Sequence, residues 1–212
     1  MPGVTANASP RVFVVDDDIS VRESLEGLIA EAGWQPELFA SAEEFLAHPR
    51  DRVPACLVLD VSLPELNGLE LQKRIANRPG LPIIFITGRG DIPMSVEAMK
   101  AGAVEFLTKP FGPEELLDAI RGALERSRAS LAHEAEQKVL SDRYETLTAR
   151  ERQVMALIVR GLLNKQVAAE LDLSEITIKV HRSRAMRKMR VKSFAELVSM
   201  AAQLGIAIAG ER

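Results

Sequence analysis

Over its first 120 residues the chain alternates short apolar runs with amphipathic helical stretches. The runs are Val12–Val15, Glu37–Phe39, Cys56–Leu59, Ile83–Ile86 and Val104–Leu107. The predicted helices lie at about Ser20–Ala32, Ala42–Ala47, Leu69–Asn77, Met94–Ala101 and Glu114–Leu124. Runs this apolar suit strands covered on both faces, and their alternation with helices calls for a parallel sheet. Five such units make an open, doubly wound α/β sheet, because a closed barrel takes eight.

From Leu147 the pattern is helical only. Thr148 precedes Glu151 by three residues, the spacing of a capping box, and Gly161 supplies the stop after Arg160. A short helix at about Lys165–Leu171 and a turn at Asp172–Leu173 follow. Ser174 can cap a third helix reaching Met189, and Ser193 a last one over Phe194–Leu204. Between the halves, Leu117, Ile120 and Leu124 continue loosely into Leu131 and Val139 through a segment rich in Glu, Arg and Ala. A helical linker with a weak apolar seam is one reading, and a flexible charged linker the other. The expected domains are residues 9–125, a helical linker over 126–143, and a small all-α domain over 144–208.

Charge sharpens this division. Residues 1–141 carry 14 Lys/Arg against 22 Asp/Glu, and residues 142–212 carry 13 against 8. An acidic half joined to a basic half suggests a metal or phosphoryl site on one and a polyanion on the other. The single cysteine, Cys56, has no internal partner, which fits a reducing compartment. Residues 1–10 lack the basic and apolar regions of a secretory signal, and no apolar stretch is long enough to span a bilayer. A soluble, cytoplasmic protein with no membrane partner is expected.

The sharpest chemistry lies at the ends of four strands. Asp16, Asp17 and Asp18 follow the first run, Asp60 ends the third, Thr87 ends the fourth and Lys109 follows the fifth. Ligands of open α/β sheets bind beyond the carboxyl ends of strands, where the strand order reverses. With the order 2-1-3-4-5, Asp16, Asp17 and Asp60 converge. Carboxylates so close repel unless a cation sits among them, and hard oxygen donors with room for water favour Mg²⁺. Lys109 and Thr87 supply the positive charge and hydroxyl a phosphoryl group needs, leaving one carboxylate free as a nucleophile. Each element also has a plainer reading: helix cap, turn start, solvated lysine, strand end. Four such coincidences at one sheet edge favour the site.

Residues 9–125 resemble the receiver domains of two-component response regulators. The resemblance rests on Val14-Val15-Asp16-Asp17-Asp18, Leu59-Asp60 with Pro64 and Gly68, Ile86-Thr87-Gly88, and Phe106-Leu107-Thr108-Lys109-Pro110-Phe111. It implies a flavodoxin-like fold with Asp60 as phosphoacceptor. It further implies Mg²⁺ held by Asp16, Asp17, Asp60 and the Ser62 backbone carbonyl, with Thr87 and Lys109 on the phosphoryl group. Phe106 would be the aromatic that turns inward on activation, and the Lys109–Pro110 bond would be cis. Leu63 departs from the usual methionine, a swap of similar volume that should leave function intact.

The second half carries a basic helix. Between Ile176 and Lys192 lie seven Lys/Arg and no acid. At about 100° per residue Ile178, Ala185 and Met189 share one face for core packing, while Lys179, Val180, Ser183, Arg184 and Arg187 point outward. Such a helix after a short helix and tight turn suits major-groove insertion, with a solvated or partner-binding cationic helix as the alternative. Residues 147–204 resemble the DNA-binding domain of the NarL/FixJ (LuxR-type) regulators. The resemblance rests on Leu147-Thr148-Ala149-Arg150-Glu151, Gly161 with Asn164-Lys165-Gln166-Val167-Ala168, and Thr177-Ile178-Lys179-Val180-His181. The Gly90-Asp91-Ile92-Pro93-Met94 segment is similar to the FixJ branch.

That resemblance implies Lys179, Val180 and Ser183 at base edges, with Asn164, Lys165, Arg184 and Arg187 at phosphates, and the last helix as dimer surface. His181 reads as a packed structural histidine, and Met94 and Met99 as ordinary core. Together the resemblances imply a phosphorylation-controlled transcriptional regulator, not an enzyme. Its partners would be a sensor histidine kinase, promoter DNA, a second copy of itself and RNA polymerase. Two rival readings fit the residues less well. A phosphatase acting through an aspartyl-phosphate needs a second acid, and Ser62 stands two residues after Asp60. A small-molecule sensor would have no use for an acidic Mg²⁺ site.

Overall fold

In the computed structural model, which describes residues 9–49, 52–76, 80–88 and 92–206, the chain divides into two compact units, Met1–Ala132 and His133–Arg212. The first alternates β1 (Arg11–Val15), α1 (Ile19–Glu31), β2 (Gln35–Phe39), α2 (Ala42–Ala47), β3 (Ala55–Asp60), α3 (Gly68–Arg74), β4 (Ile83–Thr87), α4 (Ile92–Lys100), β5 (Glu105–Thr108) and α5 (Pro113–Glu145). The strands form one parallel sheet in the order β2-β1-β3-β4-β5. The order reverses between β1 and β3, so their carboxyl ends border the crevice where such sheets bind ligands.

Strand periodicity sorts the apolar residues into two cores. Val12, Val14, Cys56, Val58, Ile84 and Ile86 pack with Leu25 and Ile29 of α1 and with Leu116, Ile120 and Leu124 of α5. Phe13, Val15, Leu57, Leu59 and Phe85 pack on the opposite face with Phe45 of α2, Leu71 of α3 and Ala98 of α4. Double coverage holds for β1, β3 and β4 but not at the edges, where β2 is mostly half-buried and β5 leaves Glu105 and Thr108 exposed. Two boundaries move for identifiable reasons. β2 begins at Gln35 because pairing with Arg11 draws in residues that apolarity does not mark. α4 begins at Ile92 rather than Met94, since a proline in the first turn surrenders only an N–H that has no helical partner. Gly90 and Asp91 of the FixJ-like segment and Asn77 lie outside the described residues, as do 207 and 208 at the end of the expected second domain. Met99 is exposed, contrary to its reading as core, because α4 turns Ala98 and Met94 to the sheet.

α5 runs unbroken through residues 126–143. Its buried stripe is Leu116, Ile120, Ala123, Leu124 and Ser127, with Leu117 only half-buried. Val139 is exposed while Leu140 is buried, so the seam expected through Leu117 and Val139 is displaced by one residue at both ends. Ser127 is fully buried, and its hydroxyl accepts from the Ala55 amide at 3.0 Å and donates to the Gly80 carbonyl at 2.7 Å. One side chain thus satisfies backbone groups before β4 and at the start of β3.

The second unit packs α6 (Ala149–Val159), α7 (Asn164–Leu171), α8 (Glu175–Met189) and α9 (Phe194–Gln203) around a core that includes Met155, Ile158, Val167, Ile178, Met189 and Leu197. Thr148 and Glu151 form the expected capping box, Ser174 and Ser193 cap α8 and α9, and Gly161 ends α6 with φ 91°. Asp172 takes the left-handed conformation between α7 and α8, which tightens that turn. Among the described residues no helix is long and apolar enough to cross a membrane.

Ser127→Ala should strand the Ala55 amide and the Gly80 carbonyl, destabilising the first unit by about 1–3 kcal/mol. Urea unfolding followed by the fluorescence of the single tryptophan, Trp34, measures this. An unchanged midpoint would mean the hydroxyl bridge is dispensable.

Candidate functional site

Strand register brings the polar residues together. Val15 pairs with Leu59, Asp60 with Ile86, and Thr87 with Thr108, so Asp16, Asp60, Thr87 and Lys109 emerge at one edge. Asp16 and Thr87 are fully buried, Asp60 nearly so, and Asp17 is exposed. One carboxylate oxygen from each of Asp16, Asp17 and Asp60 lies within 4.8 Å of the others. Lys109 Nζ stands between two of them, 2.7 Å from Asp16 Oδ2 and 3.3 Å from Asp60 Oδ2. The Lys109 amide donates to the Thr87 carbonyl at 2.7 Å, which ties the loop after β5 to the end of β4.

Backbone donors complete the cage. Asp16 Oδ1 accepts from the Asp18 amide at 2.9 Å and Asp60 Oδ1 from the Ser62 amide at 3.2 Å. Asp18 itself caps α1, accepting from the Ser20 amide at 2.8 Å, so the plainer reading of the aspartate cluster holds for one of its three members. Burial pushes the Asp16 carboxyl above its usual range, against the opposing effect of Lys109 and the Asp18 amide. Burial works downward on Lys109, but Asp16 and Asp60 hold its ammonium above the usual lysine range.

Two contributors had no role assigned from the sequence, although Gly68 belongs to the receiver-like motif. Arg22 reaches back from α1 to the Asp16 carbonyl at 2.5 Å, and only the helical geometry aims it there. Gly68 opens α3 so close to β3 that a Cβ would lie 2.6 Å from the Asp60 carbonyl oxygen and 3.1 Å from the Phe85 ring. Phe106 is half-buried with its ring centre 6.2 Å from that of Phe85, and the Lys109–Pro110 bond is cis.

On α8 the buried stripe is Ile178, Ala185 and Met189, and Lys179, Val180, Ser183, Arg184 and Arg187 are exposed. Lys165 is exposed at the start of α7, and Asn164 is half-buried, its Oδ1 accepting from Arg182 Nη1 at 3.4 Å. The seven cations therefore do not act alike. Lys188 turns inward to Glu151 at 2.6 Å and to the Thr146 carbonyl at 2.9 Å, and Arg182 stacks over the Phe194 ring. His181 is half-buried, as expected of a packed histidine, and its Nδ1 has no hydrogen-bond partner.

Residues 12–121 match the response regulator receiver domain, and residues 145–201 match the bacterial regulatory proteins of the luxR family. The chain belongs to the NarL/FixJ family of response regulators. It is 52% identical to nodulation protein W of Bradyrhizobium diazoefficiens, over 95% of this chain and 89% of that one. It is 46% identical to the response regulator protein TodT of Pseudomonas putida, over 91% and 86%. It is 42% identical to the transcriptional regulatory protein FixJ of B. diazoefficiens, over 92% and 96%. The solved structure of the response regulator StyR matches with TM-score 0.81 and 49% identity, covering 92% of this chain and 100% of that one. Receiver and LuxR-type domains in one chain make this response regulator a phosphorylation-controlled transcriptional regulator. The receiver domain implies a histidine kinase as partner, and the LuxR-type domain implies DNA binding. The acidic cluster is compatible with Mg²⁺.

In the LuxR-type domain of this regulator, burial alone would raise the Glu151 carboxyl. The bonds from Lys188 and the Thr148 amide outweigh it and hold that carboxyl below the usual glutamate range. A depressed folded value means the pair stabilises fully above the ordinary value of 4.5 and weakens as pH falls through the folded value. The gap in amide-exchange protection of α6 and α8 between wild type and Glu151→Gln should therefore narrow on acidification below 4.5. A gap that stays constant with pH would exclude the ion pair as its source.

Proposed function

We propose that Asp60 accepts a phosphoryl group from a sensor histidine kinase and that this event controls promoter binding through α8. The observation carrying this reading is Lys109 Nζ within reach of both Asp16 and Asp60, beside the buried Thr87. An Asp60 oxygen attacks phosphorus, and the phosphorus–nitrogen bond of the donor phosphohistidine breaks, its electron pair staying with the imidazole. Lys109 neutralises the arriving phosphoryl oxygens and the Thr87 hydroxyl donates to one of them. The hard oxygen donors of Asp16, Asp17, Asp60 and the Ser62 carbonyl suit Mg²⁺, which would screen the charge on the transferred group. Lys109 cannot serve the phosphoryl group fully while paired with Asp16, so a cation taking its place there favours the transfer. The regulator acts once per phosphorylation on itself and turns over no external substrate.

Thr87 drawn toward the phosphoryl group leaves space for Phe106 to turn inward, reshaping the surface of α4, β5 and α5 that forms a homodimer. Dimers occupy half-sites about one DNA turn apart, with α9 as the contact between DNA-bound copies. Lys179, Val180 and Ser183 meet base edges, while Asn164, Lys165, Arg184 and Arg187 meet phosphates. Bound at a promoter in the cytoplasm, the dimer acts on RNA polymerase.

Asp60→Asn keeps the size of the side chain and removes the nucleophile. Full-length protein treated with acetyl phosphate and Mg²⁺ should gain a phosphoryl adduct by intact mass, and the variant should gain none while keeping its circular dichroism. An adduct on the variant at wild-type yield would reassign the acceptor.

Arg187→Ala should weaken binding to all duplexes alike and reduce the slope of log affinity against log salt by roughly one. Ser183→Ala should instead change the sequence preference. Titrations of a selected and a scrambled duplex at several salt concentrations separate the two effects. A changed preference with an unchanged slope for Arg187→Ala would place that residue at bases.

A further inference from the structure

The outward face of α8 carries apolar side chains as well as cations. Ile176 is 75% exposed and Val180 is 43% exposed. Both lie about 160° round the helix from the buried Ile178, one to either side, so they sit together at the centre of the outward face. A single exposed apolar residue is ordinary on a protein surface. Two β-branched side chains one turn apart, bordered by Lys179, Ser183, Arg184 and Arg187, make an apolar ridge inside a cationic rim. Helix stability does not account for them, since β-branched residues are poorer helix formers than the straight-chain residues an exposed position favours.

The occupant of such a ridge must be a polyanion with apolar features between its charges. Duplex DNA meets that description, because the C5-methyl of thymine is the apolar group on the floor of the major groove. Position along the helix agrees. Ile176 is the second residue of α8, and the N-terminal residues of a recognition helix are those that reach base edges. Its neighbour Glu175 is exposed and acidic, so this end of the helix offers phosphates no cation. We infer that Ile176, with Val180, is a specificity-determining residue that reads thymine methyl groups in each half-site. The inference rests on the DNA-binding reading above and adds to it a residue and a base.

The test uses phosphorylated full-length protein and duplexes that the wild type selects from a randomised library. Thymines in the selected site are replaced one at a time by deoxyuridine, which removes only the methyl group. Wild type should lose about fourfold in affinity at one or two positions per half-site, the effect of about one buried methyl. Ile176→Ala should bind the parent duplex more weakly by at least that factor and lose the methyl sensitivity at one of those positions. Ile176→Val should retain it in part. Because Ile176 is exposed, circular dichroism of both variants should match wild type.

Selection of a defined site with no methyl-sensitive position, or an Ile176→Ala variant that keeps every sensitivity, would overturn the inference while leaving DNA binding intact. Unchanged DNA affinity together with lost transcriptional output would assign the ridge to a protein partner instead. Failure of the wild type to select any sequence would overturn both this inference and the reading beneath it.

Discussion

Gathering Asp16, Asp17 and Asp60 within 4.8 Å of one another is unfavourable by itself. At that separation each pair of ionised carboxylates repels by about 3–4 kcal/mol at the effective dielectric of a protein edge. The ammonium of Lys109 opposes this repulsion, and it can do so only from one place. Lys109 follows β5, whose register against β4 is fixed by Thr87 opposite Thr108 and by the Lys109 amide on the Thr87 carbonyl. A slip of one residue would turn every side chain of that edge strand to the other face. The strand order, the β4–β5 register and the close seat of Gly68 under Asp60 all serve to keep one cation beside two buried acids. A charged ligand that used both buried acids would meet Lys109 already engaged with them.

The LuxR-type domain solves a related problem in the opposite sense. Seven cations on and just after one helix repel one another, and the domain removes some of them from the common face. Lys188 is used internally against Glu151, whose carboxylate also closes the capping box of α6. Arg182 is drawn onto Phe194 and Asn164 at the edge of the helix. What remains outward on α8 itself is a narrower set, Lys179, Arg184 and Arg187, interleaved with Val180 and Ser183, with Arg190 and Lys192 exposed just beyond its end. A helix so sorted presents hydrogen-bonding, apolar and charged groups at defined positions, which base-edge recognition needs and nonspecific attraction does not.

How far the sequence revealed this depends on the range of each interaction. β1, β3 and β4 were legible because strands buried on both faces must be apolar throughout, whereas the start of β2 was not, being set by its neighbour. Helix starts at Thr148, Ser174 and Ser193 were legible because a cap lies within three residues of what it caps. The positions of Asp16, Asp17, Asp60, Thr87 and Lys109 followed from strand ends and a single assumption about strand order. Ser127 was not legible, since the backbone groups it joins lie 72 and 47 residues away. The same holds for Lys188: its partner Glu151 is 37 residues distant, and nothing local sets it apart from the other cations of the helix. The buried stripe of α5 was read correctly at Ile120 and Leu124 but began one residue late, because Leu116 and Leu117 are equally apolar and only the sheet beneath chooses between them.

That choice on α5 illustrates a constraint running through both domains. A buried polar side chain is costly unless it is bonded, and Ser127 and Gln72 here serve backbone groups while Asp16, Asp60 and Glu151 serve backbone and a lysine together. Ser127 joins the approaches to two strands, Gln72 of α3 donates to the Ala98 carbonyl of α4, and Glu151 serves the Thr148 amide and the Lys188 ammonium together. Asp16 does the same beside the acidic site, binding the Asp18 amide with one oxygen and Lys109 with the other. Asp60 differs in one respect. Its carboxylate accepts from the Ser62 amide and, at the longer distance, from Lys109, and of the two buried acids it is the more accessible. Of the pair, Asp16 is the more firmly held, while Asp60 is the less tightly engaged, which is what the proposed phosphoacceptor role asks of it.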